Sequence, residues 1–321
     1  RPGVPTGSRR SWRNPAGPEY NRRTLIPPPE TCIAHKDYAA NFADFLSERP
    51  DGKPFCFWYG GFEPHRPYSP GEGARAGKKP ADAGRLPPYW PQEDVVRNDV
   101  LDYANEIEWF DLHLGQMLDQ LREAGELENT LVLVTSDNGM PFPRVKGQMY
   151  EQDFHLPMAA CWPAAAAGGR TIADLIGFVD VAPTFLAAAG LPPHPQMAGK
   201  SFLDLILSGR EGQLDPSRTR VYFGRERHDL GREDDLGYPV RCVRTPQYLY
   251  VRNFAPERWP AGNPETGFTN CDSSPTKSRI LDLHAAGESA CYDLCFGRRP
   301  AEELYDVLRD PDCVTNLAGR P

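Results

Sequence analysis

The chain has 321 residues, 40% of them hydrophobic and 25% charged, and 36 Lys and Arg stand against 44 Asp and Glu for a formal charge of −8. That length supports one large domain or two smaller ones around a substantial core, and the acidic balance excludes a surface built to coat nucleic acid. No run of about 18 apolar residues is present, so no membrane-spanning helix is expected.

The chain opens on Arg1-Pro-Gly-Val-Pro5, which lacks the apolar core of a signal peptide and reads as a cut end. Residues 1–35 are rich in Pro, Arg and Asn and predict an extended loop. The 34 prolines are scattered, which predicts long ordered connections. A short amphipathic helix is expected over Tyr38 to Glu48. Pro54-Phe-Cys-Phe-Trp-Tyr59 is an apolar run without alternation, as in a strand covered on both faces. Residues 69–91 have no periodicity and predict a loop.

Val96, Val100, Tyr103, Ile107, Phe110, Leu114, Met117 and Leu121 recur in steps of three and four, which predicts a long helix with one apolar stripe. Thr130 to Ser136 is a second apolar run, expected as a central strand beside residues 54–59. Helix, short loop and buried strand make an αβ unit. A short strand is expected from Met158 to Trp162. A helix follows over residues 179–189, with Pro183 near its start and Gly190 as C-cap. After about Gly212 the texture changes. Residues 220–224, 240–244 and 248–252 predict a small antiparallel sheet. Domains are therefore expected at 1–212 and 213–321. Of the eight cysteines, Cys56 and Cys161 lie in apolar runs and read as buried thiols. Cys271, Cys291, Cys295 and Cys313 leave a disulfide open, with no pairing fixed by sequence.

Three clusters carry chemistry. Asp137 and Asn138 follow the second strand, where open α/β sheets place ligands, and offer hard oxygens suited to Ca²⁺ or Mg²⁺. The bland reading is an Asn-Gly turn. Lys146 lies just downstream and can bind a tetrahedral oxyanion as a point charge; a solvated lysine is its bland reading. Glu63-Pro64-His65-Arg66 follows the first apolar run. There a histidine can protonate a leaving group and an arginine can fork onto an anion. The alternative is an ordinary exposed loop.

The order of these pieces, P-H-R, long helix, strand, S-D-N-G, K-x-x-x-Y-E, V-D-x-x-P-T, resembles the sulfatase family of the alkaline-phosphatase-like superfamily. The closing Glu303-Leu-Tyr-Asp306, Asp310-Pro311 and Asn316-Leu-Ala318 are similar to that family's ending. Pro64-His65-Arg66 and Ser136-Asp-Asn-Gly-Met-Pro-Phe-Pro143 most resemble its heparan N-sulfatase (sulfamidase)-like members. The resemblance implies an α/β fold with a mixed sheet flanked by helices and a smaller C-terminal antiparallel subdomain. It implies Asp137 and Asn138 as ligands of a divalent cation, Ca²⁺ in most of the family. Lys146 would hold sulfate and His65 would touch sulfate or protonate the leaving group. Glu63, Arg66, His228 and Arg241 would line the substrate cleft. The substrate class implied is a sulfated carbohydrate, and the compartment an exported or lysosomal one.

The family's nucleophile is a formylglycine made within C-x-P-x-R. No cysteine here has that context: Cys161-Trp-Pro-Ala-Ala165 lacks the arginine and Cys295-Phe-Gly-Arg-Arg299 the proline. Ser273-Ser-Pro-Thr-Lys277 is the nearest serine variant. The expectation is a chain lacking the family's first third, inactive by itself. Two alternatives stay open: a phosphodiesterase or phosphomutase of the same superfamily, and a non-catalytic remnant that binds sulfated glycans.

Overall fold

A computed structural model describes residues 19–50, 52–229, 231–261 and 270–319. Most of the 1–35 loop expectation therefore lies outside the described residues. The chain forms two compact units, one from the described parts of Arg1–Arg85 with Glu93–Leu127, the other from Leu86–Gln92 with Glu128–Pro321.

In the first unit α1 spans Tyr38–Glu48, where Asp37 caps the helix by accepting from Ala40 N at 2.9 Å. A single turn, α2 (Glu72–Arg75), precedes the long α3 (Asp94–Glu123). Tyr38, Ala39 and Phe42 of α1 pack on Met117 and Leu121 of α3, and Phe55, Phe57 and Tyr59 join them. This corrects the reading of residues 54–59. The run is not a strand of either sheet, and it alternates. Phe55, Phe57 and Tyr59 face the helices, while Cys56 is exposed and Trp58 is 65% exposed. Apolar residues on the open side, Cys56 and Trp58, had hidden the period of two.

Helix α3 also departs from its apolar stripe. Ile107 is 39% exposed, and the buried face carries Asp99, Asp102, Glu106 and His113. Polar groups so buried need partners. Asp102 accepts from Gly71 N at 2.8 Å and Gly73 N at 2.9 Å. Gly73 is required there, because a Cβ would fall 2.6 Å from Leu101 O.

In the second unit β1 (Val132–Thr135) pairs antiparallel with β2 (Met158–Cys161), between which lies the short α4 (Glu151–Phe154). Helix α5 (Val181–Ala188) follows, then α6 (Leu203–Leu207). Leu131, Leu133 and Met158 pack on Phe202, Leu205 and Ile206. The other face of the pair is open at Ala159 and Cys161, which are exposed, and leaves Val132 and Val134 half-buried. The second apolar run is thus covered on one side only, and Cys161, like Cys56, is not a buried thiol. Cys32, Cys56, Cys161, Cys242, Cys295 and Cys313 are free thiols.

The expected antiparallel sheet is present with four strands, β3 (Val221–Arg225), β4 (Val240–Arg244), β5 (Tyr248–Asn253) and β6 (Glu302–Asp306), in that order. Its inner face sets Val240, Cys242, Leu249, Val251 and Tyr305 against Met149 and Tyr150. Two helices, α7 (Pro275–Ala285) and α8 (Ala290–Cys295), complete the unit. Both sheets are antiparallel; the parallel link among the described residues is the isolated bridge between Ile172 and Gly212. No helix among the described residues is long and apolar enough to cross a membrane.

Candidate functional site

Strand β1 ends at Thr135, and the chain turns through Ser136-Asp137-Asn138-Gly139. Asp137 is exposed and Asn138 half-buried. Ser136 Oγ donates to Asn138 O at 3.0 Å, and Gly139 N donates to Asp153 Oδ1 at 3.0 Å. A Cβ on Gly139 would lie 2.5 Å from Gln152 O, so only glycine lets this turn rest on α4.

Asp153, which the sequence reading did not single out, organises the loop. It is 4% exposed, and backbone N–H groups of both Gly139 and Gly147 donate to it. Burial pushes its carboxyl up to about 7 against those hydrogen bonds and the nearby charges of Arg225 and Lys146. One buried carboxylate thus ties the turn that carries Asp137 and Asn138 to the turn that carries Lys146.

Lys146 extends from that second turn to Asp272 Oδ2 at 3.1 Å, its side chain 16% exposed. Gly147 has φ 75° and lies under the His228 ring, 2.5 Å from Nδ1 if a Cβ were added. His228 Nδ1 is 3.1 Å from Asn270 O. A carbonyl only accepts, so Nδ1 carries the proton and Nε2 keeps its lone pair. Burial, then the charges of Arg225 and Lys146, lower the His228 pKa and keep the ring neutral. Lys146 and His228, chosen separately from the sequence, therefore meet at Gly147.

The intervening segment is pinned from behind. Arg144 donates to Leu294 O at 2.5 Å and to Cys313 O, and its guanidinium stacks 4.1 Å from the Tyr150 ring centroid. Tyr150 OH donates to Glu303 Oε2 at 3.0 Å, and Asn253 Nδ2 donates to Glu303 Oε1 at 2.8 Å. The Glu303 of the closing E-L-Y-D motif is the acceptor that fixes Tyr150. Glu151 takes Arg244 at 2.7 and 2.8 Å and His155 at 2.9 Å. Burial opposes its ionisation, but those partners win and hold the carboxyl down at about 2.

Arg241 lies on the other face of β4 from Cys242, exposed and paired with Glu226. In the first unit, Glu63 is 5% exposed and accepts from Ala34 N at 2.7 Å and Tyr38 OH at 2.9 Å. Arg66 makes a two-pronged ion pair with Asp99 at 2.8 and 3.0 Å, with side-chain exposures of 6% and 1%. His65 between them is exposed, and its Nδ1 lies 2.6 Å from Arg66 O.

The oxygens at the end of β1 fit a hard cation in part. Asn138 donates Nδ2 to Gly139 O at 2.7 Å, which leaves Oδ1 to coordinate beside the exposed Asp137 carboxylate. Ca²⁺ takes about six to eight oxygens. Among the described residues no group of three or more His, Cys, Asp or Glu is arranged to hold a metal. The pair supplies two donors and does not complete a site.

Comparison with known proteins agrees with the motif order. A model described as Sulfatase matches residues 3–191, and one described as N-sulphoglucosamine sulphohydrolase, C-terminal, matches residues 145–259. An ulvan-active sulfatase of Formosa agariphila is 32% identical over 239 residues, 74% of this chain and 37% of that protein. Human N-sulphoglucosamine sulphohydrolase is 27% identical over 299 residues, 84% of this chain and 58% of that protein. An extracellular sulfatase homologue of Drosophila melanogaster is 35% identical over 110 residues, 33% of this chain and 10% of that protein. A solved structure from work on the metabolism of multiple glycosaminoglycans by Bacteroides thetaiotaomicron superposes with a TM-score of 0.60 at 18% identity, covering 87% of this chain and 54% of that one. That likeness shows an alkaline-phosphatase-like α/β fold. The chain spans 37% and 58% of the lengths of the first two relatives named.

Proposed function

The chain belongs to the sulfatase family, and from that premise we propose that it supplies the anion-holding part of a sulfuric ester or sulfamate hydrolase acting on a sulfated glycan. The observation that carries this reading is the His228 ring, its Nδ1 engaged by Asn270 O, seated over Gly147, the residue next to Lys146. A cation beside a neutral acceptor suits a sulfated sugar, which brings one negative group and several hydroxyl donors.

In this reading Lys146 leaves Asp272 and takes a sulfuryl oxygen. His228 Nε2 accepts from a sugar hydroxyl or amine. Asp137 and Asn138 would hold a divalent cation, which when bound draws electron density from the sulfuryl oxygens. His65 is proposed as proton donor to the leaving group. Glu63 and Arg66 are engaged by Tyr38 and Asp99, which favours a bracing role for them over direct reading of the sugar. Arg241 stays a proposed contact at the cleft rim. Export from the cytoplasm is proposed with the substrate, supported by the extracellular relative. The sulfamate form of the substrate is supported by the match to a sulphoglucosamine sulphohydrolase C-terminal model.

The test is equilibrium binding of N-sulfoglucosamine, glucosamine 6-sulfate and unsulfated glucosamine to the chain. Binding of the sulfated sugars that is lost in Lys146→Ala supports the reading. Equal binding of all three sugars, unchanged in Lys146→Ala, contradicts it.

A further inference from the structure

Arg225 closes β3 in phase with Val221 and Phe223, opposite Val240 of β4. Its side chain is therefore on the sheet face that packs Val240, Cys242 and Val251. Nη2 donates to Pro260 O at 2.6 Å, while Nε and Nη1 are buried without any hydrogen-bond partner. Arg232 repeats the pattern. Its Nε donates to Leu236 O at 2.8 Å and its Nη1 to Trp259 O at 2.6 Å, and its Nη2 is buried and unpartnered.

Both guanidiniums flank one ring, each 5.7 Å from the Tyr238 centroid, and the buried Tyr238 hydroxyl has no partner either. Asn270, 3% exposed, has both amide atoms unpartnered. Neither arginine has a carboxylate ion-pair partner among the described residues. Burial, then the charge of Arg232, lowers the Arg225 pKa to about 10, which still leaves it charged at neutral pH.

Two buried cations with no carboxylate in ion-pair reach are costly, and several unmet donors around them add to the cost; the charge of Asp153 offsets that of Arg225 only in part. The deficit is of acceptors and of negative charge together. Water would supply acceptors alone. An oxyanion supplies both, and the unmet N–H groups of Arg225 and Arg232 are charged donors that it would accept from. We propose that Arg225 and Arg232, with Tyr238 and Asn270, form a second oxyanion site, separate from Lys146, for a further sulfate or a uronate carboxylate of the substrate. The oxyanion chemistry stands on these residues; naming a glycan as its source rests on the proposed function.

The experiment uses the whole chain. Arginine Nε–Hε NMR signals are followed while inorganic sulfate or glucuronate is added at constant ionic strength, with chloride as the balancing salt. The Arg225 signal should move with one or both anions, and the one that binds more tightly identifies the source. Thermal melting gives the second readout. Arg225→Met removes an uncompensated charge, so it should raise the melting temperature in sulfate-free buffer. It should also weaken sulfate binding by at least about tenfold. A still Arg225 signal with both anions overturns the proposal, as does an Arg225→Met chain that melts lower and responds to sulfate as wild type does. Lys146→Ala separates the two readings. Loss of the whole response there, with none in Arg225→Met, refutes the second site and leaves the proposed function standing. The reverse pattern keeps the second site and removes the anion ligand on which the proposed function depends.

Discussion

Arg66 in the first unit and Arg225 in the second are both removed from water, and their surroundings differ in one respect. Arg66 lies in a two-pronged pair with Asp99, itself 2% exposed. Arg225 has one carbonyl and two unmet N–H groups. A buried cation with its carboxylate is a closed structural unit, while one without is an offer to something else. Glu106 shows a third solution. It is 2% exposed, its Oε1 has no partner, and burial with the nearby Glu63 and Glu30 pushes it up to about 8. A carboxyl can take a proton and become neutral; a guanidinium cannot in the usual pH range.

The largest expected effect comes from making Arg66 resemble Arg225. Asp99→Ala takes its carboxylate from the buried Arg66 and should cost about 3–5 kcal/mol in a denaturant titration. A loss below about 1 kcal/mol would mean that Arg66 reaches water readily and that pairing does not distinguish the two. Next comes Lys146→Ala. In a form joined to a segment bearing C-x-P-x-R and processed to formylglycine, it should lower kcat by roughly 10²–10³. An unchanged rate would remove Lys146 from the anion site.

Smaller is the pH dependence of the first unit. The folded Glu106 pKa of about 8 lies above the ordinary carboxyl value of 4.5, so its contribution to stability is full below 4.5 and is lost as pH rises through about 8. The melting temperature should therefore fall between pH 5 and pH 9, and Glu106→Gln should flatten that fall. A fall of the same size in Glu106→Gln would place the titrating group elsewhere. The smallest effect is the stabilisation expected of Arg225→Met without sulfate, of the order of 1 kcal/mol, read as a rise in melting temperature.

Legibility in the sequence followed the same division. The S-D-N-G turn and Lys146 stand in the motif order, His228 stands in no such motif, and the small antiparallel sheet was readable because its strands are short and bounded by turns. The 54–59 run misled because Cys56 and Trp58 are apolar and yet exposed. Asp99, Asp102 and Glu106 sit on the buried face of α3, where the spacing of hydrophobic residues had drawn an apolar stripe. Partners distant in the chain satisfy Asp99 and Asp102, and no local pattern reports them. Asp153 was missed for that reason too, since its role rests on the amides of Gly139 and Gly147. Arg225 did leave a signal: it continues the period-two phase of Val221 and Phe223, where the inner face calls for an apolar residue.

The central claim is that the turns tied by Asp153 hold a sulfate group next to a divalent cation. Calorimetric titration of N-sulfoglucosamine into the chain, with and without Ca²⁺, tests it most directly. Ca²⁺ should tighten binding, Asp137→Ala should remove the Ca²⁺ effect, and Lys146→Ala should remove binding. Binding that is the same with and without Ca²⁺ and unchanged by both substitutions would contradict it.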